Sequence, residues 1–151
     1  IKGKNIWIMP SPGDAGSSLG ASALKQGKIN WKHPYLGYDI NGYINPKEVV
    51  DDILENKITG VANGRAEFGP RALGNRSLLG DPRYDIKDTV NEIKKREKDC
   101  KSVIRPILEE FYERTKVPML LNTSLNIKGK PMVNTEKDAS KFTEKYGVNV
   151  W

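Results

Sequence analysis

GRAEFGPRALGNRSLLGDPR, residues 64–83, is the stretch whose reading decides what this chain is built to do. It carries Arg65, Arg71, Arg76 and Arg83, punctuated by Gly64, Gly69, Gly74 and Gly80. Glycine lets backbone amides approach a ligand closely. The planar guanidinium fork matches phosphate or carboxylate oxygens in pairs. Pro70 is expected to open a short helix running through Leu79, whose positive N-terminal end would add to the pull on an anion. On that helix Arg71 and Asn75 would lie one turn apart on the same face, with the Ser77 hydroxyl nearby. Residue types alone leave two readings open: an anion cradle, or a solvated surface whose arginines pair with Glu67, Asp81 or Asp85. No Gly-Lys-Ser/Thr follows a glycine-rich loop, so a Walker phosphate-binding pattern is excluded.

Working outward, ITGVAN (58–63) reads as a buried strand that runs straight into this stretch. Asn45-Pro46 signals a helix start, with Asn45 able to cap, Pro46 at the first helical position and Glu48 at the capping-box position. Val49, Val50, Ile53 and Leu54 give that helix one apolar stripe. Residues 28–45 show no clear period and read as a linker or extended crossing segment. Before them, KNIWIMP (4–10) reads as a short strand followed by a Gly/Ser-rich turn and a small-residue helix ending near Gly27. Downstream, Asp85 is expected to begin a helix with Ile86, Val90 and Ile93 on its inner face. An amphipathic helix follows over 103–115, then a strand at VPMLLN (117–122). A final helix is capped by Thr135 and Asp138 and runs to about Tyr146, and VNVW closes the chain as a strand. Alternating strands and helices predict an α/β fold.

The chain has 151 residues, 37% hydrophobic and 29% charged, which fits one compact domain with a core of ordinary size. No apolar run approaches the roughly 18 residues needed to span a membrane, and no signal-peptide pattern opens the sequence. A lone Cys100 excludes a disulfide framework and makes a reducing cytoplasm the expected compartment. The net charge of +6 favours phosphate-bearing partners.

Other clusters read more plainly. LLNTSLNIKGKP (120–131) delivers Asn122, Thr123, Ser124 and Asn126 at the C-terminal end of a strand, where open α/β sheets bind ligands; an Asn/Ser-rich turn is the competing reading. Lys94, Lys95 and Arg96 complement a helix dipole. Asp14, in Gly13-Asp14-Ala15-Gly16, could face a metal or nucleotide, or cap a helix. His33, the only histidine, sits in the linker-like stretch and reads as a surface residue. Cys100 has Lys98 and Lys101 close by but no histidine partner that would make it a nucleophile.

In order along the chain, these pieces resemble a known family. GRAEFGPRALGNRSLLGDPR looks like the GRxEFGPRALGNRSIL-DPR signature of the NodU/CmcH-type O-carbamoyltransferases. NEIKKRE (91–97) resembles the Asn-x-x-Lys-x-Arg segment that follows it there. VPMLLNTSLNIKGKPMVNTEKDA (117–139) is similar to PVLLNTSFN-GEPIV-TPEDA. MPSPGDAGSSLGASAL (9–24) looks like the QPAAGDAGTALGAAL segment that closes the family's preceding catalytic domain. The resemblance implies a YrdC-like twisted mixed sheet flanked by helices over 46–151. A linker at 31–45 and the strand-helix tail of an actin-like ATPase-fold domain at 1–30 would precede it.

The resemblance also implies a division of labour. The C-terminal domain would use carbamoyl phosphate and ATP, with Mg, to make a carbamoyl-adenylate. The actin-like domain, iron-bearing in the full-length enzyme, would pass the carbamoyl group to an acceptor hydroxyl. By motif, Arg65, Arg71, Arg76, Lys94 and Arg96 would hold phosphates, with Arg71, Arg76 and Lys94 as the catalytic set. Asn75 joins the binding residues, Asn122, Ser124 and Asn126 would line the carbamoyl and nucleotide pocket, and Asp14 would be a metal ligand only alongside the missing domain. Such chemistry needs positioning and charge neutralisation more than a side-chain nucleophile. The implied partners are the N-terminal actin-like domain and the two small molecules; a homodimer is allowed and a membrane is not expected. The chain departs from the family pattern after Lys98, which passes directly to DCKSVIRPILEEF where the family has a Phe-Arg-Pro-Phe-Ala-Pro run and a long stretch. A basic RNA-binding or regulatory module without catalysis is the alternative, disfavoured because Phe68 is the only aromatic within the Arg-rich motif.

Overall fold

Local signals set the frame where the sequence is explicit. The computed structural model describes residues 13–85 and 104–151. Helix α1 (Asp14–Gln26) comes first and stops at Gly27, whose φ of 75° lies in the left-handed region. Strand β1 (Tyr35–Ile40) occupies the stretch expected to be a linker or extended crossing segment. Helix α2 (Pro46–Asn56) begins as expected: the Asn45 side chain accepts from the Lys47 amide at 3.1 Å and donates to Glu48 Oε1 at 2.8 Å. Strands β2 (Ile58–Ala62), β3 (Gly64–Glu67) and β4 (Arg76–Gly80) follow. The second described segment holds α3 (Ile104–Thr115), β5 (Leu121–Ser124) and α4 (Glu136–Tyr146). The Thr135/Asp138 capping box at the start of α4 is present in full.

The fold is α/β, with two small antiparallel sheets. One pairs β1 with β3; the other runs β2-β4-β5, with β4 central. The C-terminal residues add a short parallel rung to β2, where Gly60 N donates to Asn149 O at 2.7 Å and Trp151 N to Gly60 O at 3.1 Å. The closing strand expected in VNVW is present only as this isolated bridge at Val150. Strand alternation then divides the core between two faces. Ile58, Ala62, Leu78 and Leu125 pack with Phe142 of α4 on one side. Val61 and Leu79 pack with Val49, Val50 and Ile53 of α2 and with Ile107 and Phe111 of α3 on the other. Among the described residues, no helix is long and apolar enough to cross a membrane.

Two expectations are corrected. No helix runs from Pro70 to Leu79: the chain turns through residues 68–75 and enters β4. Gly69 and Gly74 take φ values of 101° and 113°, which a right-handed helix cannot accommodate. The buried Ser77-Leu78-Leu79 run instead supplies the central strand, so burial on both faces overrode the proline signal. The strand at VPMLLN is shifted to Leu121–Ser124, because pairing with Ser77–Gly80 sets its register. The expected strand at 4–10 and the helix beginning at Asp85 with Ile86, Val90 and Ile93 fall outside the described residues, as does Cys100.

Gly60 reports how tightly the C-terminal rung is packed. A Cβ there would lie 2.8 Å from Val150 Cγ2, 3.1 Å from Leu125 Cδ1 and 3.2 Å from Asn149 O. Gly60→Ala is therefore expected to destabilise the chain by about 1–3 kcal/mol through overpacking, measured by urea denaturation.

Candidate functional site

The glycine- and arginine-rich stretch folds around one acid. Glu67 ends β3 and is 6% exposed. Its Oε1 accepts from the amides of Leu73 at 2.8 Å, Asn75 at 2.7 Å and Arg76 at 3.2 Å. The loop between β3 and β4 is thereby closed at its base into an arch. On its outer side, Phe68 N donates to Pro34 O at 2.7 Å and the Phe68 ring meets Trp31 edge-on at 6.0 Å. The Tyr35 hydroxyl donates to Leu73 O at 3.3 Å. Pro70 and Arg71 stand exposed in the arch. The amide cradle expected from the sequence is thus partly spent: two of the loop's amides, and that of Arg76 at the start of β4, face an internal carboxylate.

Arg76 opens β4 and is fully buried. Its Nη1 donates to the carbonyls of Asn63, Gly64 and Asn75, at 3.3, 3.0 and 2.7 Å. Its Nη2 donates to those of Tyr38 and Asn134, at 2.9 and 3.0 Å. One guanidinium therefore ties β1, the β2–β3 link, the arch and the segment before α4 together. Burial pulls its pKa below the usual arginine value, while the charges of Glu67, Asp39 and Glu136 push back up.

Pairing across β4 and β5 brings the two sequence clusters together. Ser77 lies opposite Ser124 and Leu79 opposite Asn122. The Leu125 amide donates to Arg76 O at 3.0 Å, extending the ladder one step. Continued by one residue, the same register sets Asn75 across from Asn126. Asn75, Ser77, Ser124 and Asn126 thus occupy register positions of one parity, at the arch end of the sheet. Asn75 Nδ2 donates to Arg65 O at 3.0 Å, and Asn126 Nδ2 donates to Ile127 O and Lys130 O at 3.1 and 2.9 Å. The opposite ends of these groups are different. Among the described residues, Asn75 Oδ1, Asn126 Oδ1 and Ser77 Oγ are buried with no hydrogen-bond partner, as are Glu67 Oε2 and Arg76 Nε beneath the arch.

The remaining expected residues scatter. Arg65 is exposed on β3 and donates to Leu36 O at 3.1 Å. Asp14 is exposed in the first turn of α1. Lys94 and Arg96 lie outside the described residues. Among the described residues, no group of three or more His, Cys, Asp or Glu side chains could hold a metal ion. Sequence reasoning missed Glu67 as an organiser, although it is the only acid between Gly64 and Gly80. It also missed Asn134, whose carbonyl receives Arg76 and whose Oδ1 accepts from the Tyr38 amide at 3.1 Å; nothing in its local sequence marks it.

The chain matches the carbamoyltransferase C-terminus family over residues 50–100 and 98–151. The two matched pieces meet at Lys98–Cys100. It is similar to the nodulation protein NolNO of Sinorhizobium fredii, 31% identical over 73% of this chain and 21% of that protein. It is similar to nodulation protein U of the same organism, 34% identical over 62% of this chain and 20% of that protein. An uncharacterized protein of Methanocaldococcus jannaschii is 24% identical, over 89% of this chain and 42% of its own length. The chain thus spans between a fifth and about two fifths of these relatives.

Proposed function

Since this chain belongs to the carbamoyltransferase C-terminus family, we propose that it takes up and orients the carbamoyl donor of a longer O-carbamoyltransferase. The observation that carries the reading is the set of buried, unpartnered oxygens at the arch end of the sheet: Asn75 Oδ1, Asn126 Oδ1 and Ser77 Oγ. Buried acceptors without partners are costly and call for a donor to fill them. A carbamoyl group brings an NH₂ that donates twice. The exposed Arg71, with Arg65 on the neighbouring strand, supplies the charge that the donor's phosphate needs. Asn122 and Ser124, on the strand that carries this register, complete the polar wall.

Residue roles shift within this reading. Arg76, which the family resemblance makes catalytic and phosphate-holding, acts here through the framework, because both its Nη atoms are committed to backbone carbonyls. Lys94 and Arg96 keep the phosphate role that the resemblance gives them. ATP would bind with its Mg carried on the phosphates and supply the adenylate; this chain's residues hold phosphate oxygens and the carbamoyl amide. Iron belongs with the N-terminal actin-like domain of the same enzyme, since Asp14 is exposed and, among the described residues, joins no cluster of metal-ligating side chains. A YrdC-like domain preceded by the tail at 1–30, and placed in a reducing cytoplasm, fits this division; the 31–45 stretch expected as a linker gives the domain strand β1, paired with β3.

Isothermal titration of the 151-residue chain with carbamoyl phosphate tests the reading. Arg71→Ala is expected to weaken binding about tenfold or more while circular dichroism still shows the variant folded. If neither carbamoyl phosphate nor ATP binds the folded chain, the donor site is wrong. Binding of RNA with a steep salt dependence and no competition by ATP would favour the RNA-binding alternative instead.

A further inference from the structure

We propose that Glu67 is the positioning residue of the donor site, holding the 68–75 arch so that Arg71 is presented to the donor's phosphate; this rests on the donor reading above. A carboxylate placed beside a site for an anion repels the ligand, and burying a charge is costly unless it is compensated. Glu67 is buried all the same, and one of its oxygens gathers the Leu73, Asn75 and Arg76 amides. Three charge-assisted hydrogen bonds on one oxygen spread its charge into the backbone, and the guanidinium of Arg76 adds a buried positive charge nearby.

The consequence for the ligand is specific. With those three amides turned inward, the charge that the arch offers an outside phosphate is that of the exposed Arg71 side chain. The approach of Arg71 is then set by where the arch is pinned. Glu67–Leu73 closes one end, and Phe68 N on Pro34 O fixes the other. The left-handed φ values of Gly69 and Gly74 allow the chain to turn out and back between those anchors. Through Oε1 Glu67 acts on the donor by way of Arg71; its Oε2 is buried with no hydrogen-bond partner among the described residues.

A double-mutant cycle in the 151-residue chain tests this, with carbamoyl phosphate and inorganic phosphate as probes, at a temperature where circular dichroism shows every variant folded. Glu67→Ala is expected to weaken carbamoyl phosphate binding roughly tenfold, and the Glu67→Ala/Arg71→Ala double variant to bind within about twofold of Arg71→Ala alone. Glu67→Gln keeps an oxygen for the three amides and is expected to stay within about threefold of the parent. If Glu67→Ala does not fold, Glu67→Asp, shorter by one methylene, takes its place in the cycle.

Effects of Glu67 and Arg71 that simply add would overturn the proposal, as would parental binding by Glu67→Ala. Amide hydrogen exchange separates this failure from failure of the donor reading. If the parent binds neither probe, the donor site and the positioning role both fall. Lost protection at Leu73, Asn75 and Arg76 in Glu67→Ala would still establish the arch anchor. Unchanged protection would overturn the proposal even where binding falls.

Discussion

Arg76→Ala is expected to bring the chain to the edge of unfolding. The substitution removes one buried guanidinium and leaves five carbonyls, from Asn63, Gly64, Asn75, Tyr38 and Asn134, without their donor. Each buried acceptor left bare costs about 1–3 kcal/mol, and relaxation recovers part of the total. Removing one partner from a buried charged network costs about 3–5 kcal/mol in measured cases. A domain this size has about 5–15 kcal/mol in all. Arg76→Lys is expected to fail almost as badly, since one ammonium cannot serve the separate Nη1 and Nη2 acceptor sets. Urea denaturation followed by tryptophan fluorescence reads this directly. A stable Arg76→Ala variant that had lost only ligand affinity would return Arg76 to the phosphate-holding role expected from the sequence.

The second large effect lies at the other end of β2. Asp52 of α2, 6% exposed, collects four side-chain donors. Asn56 Nδ2 reaches its Oδ1 at 2.7 Å and Asn149 Nδ2 at 2.8 Å. Thr59 Oγ1 reaches its Oδ2 at 2.5 Å and Trp151 Nε1 at 3.0 Å. Through Asn149 and Trp151 this carboxylate clasps the C-terminal rung onto α2 and β2. Asp52→Ala is expected to cost about 2–4 kcal/mol, because it orphans buried donors and frees that rung.

The clasp also sets an acid limit. Burial alone would raise the Asp52 pKa, but the Thr59, Trp151, Asn56 and Asn149 donors together hold it below its ordinary value of 3.8. A carboxylate depressed in the folded state stabilises fully above its unfolded pKa. That stabilisation is lost as pH falls through the folded value, so the window lies below about pH 4. Asp81, beside Arg83, and Asp138, within its capping box, shift in the same direction and add to the loss. Asp52→Asn should be less stable at neutral pH and should lose less on acidification than the parent, measured as denaturation midpoints from pH 7 to 3.

What the sequence made legible divides by range. The start of α2 at Asn45-Pro46 and the Thr135/Asp138 capping box were readable because caps are set by residues within one turn. β2 was readable from its apolar run. The stretch 70–79 misled because Pro70 and the residues after it are acceptable in a helix. The deciding facts were not local: a carboxylate on the preceding strand taking the amides, and strands on both sides claiming Ser77–Gly80. Arg76 shows the same limit in chemistry. Its type and spacing signal anion binding, and only the fold shows both Nη atoms held by five backbone carbonyls, with Nε buried and unpartnered among the described residues. Arg71, in the same motif, is left exposed by that fold, so the two arginines part company on burial alone.

The central claim is that the arch at 68–75 and the β4–β5 polar register together receive a carbamoyl donor. Amide hydrogen exchange on the 151-residue chain, with and without saturating carbamoyl phosphate, tests it most directly. Added protection is expected to concentrate at residues 69–77 and 122–126, and to be absent in Arg71→Ala. Protection confined to other segments, or none at saturation, would contradict it.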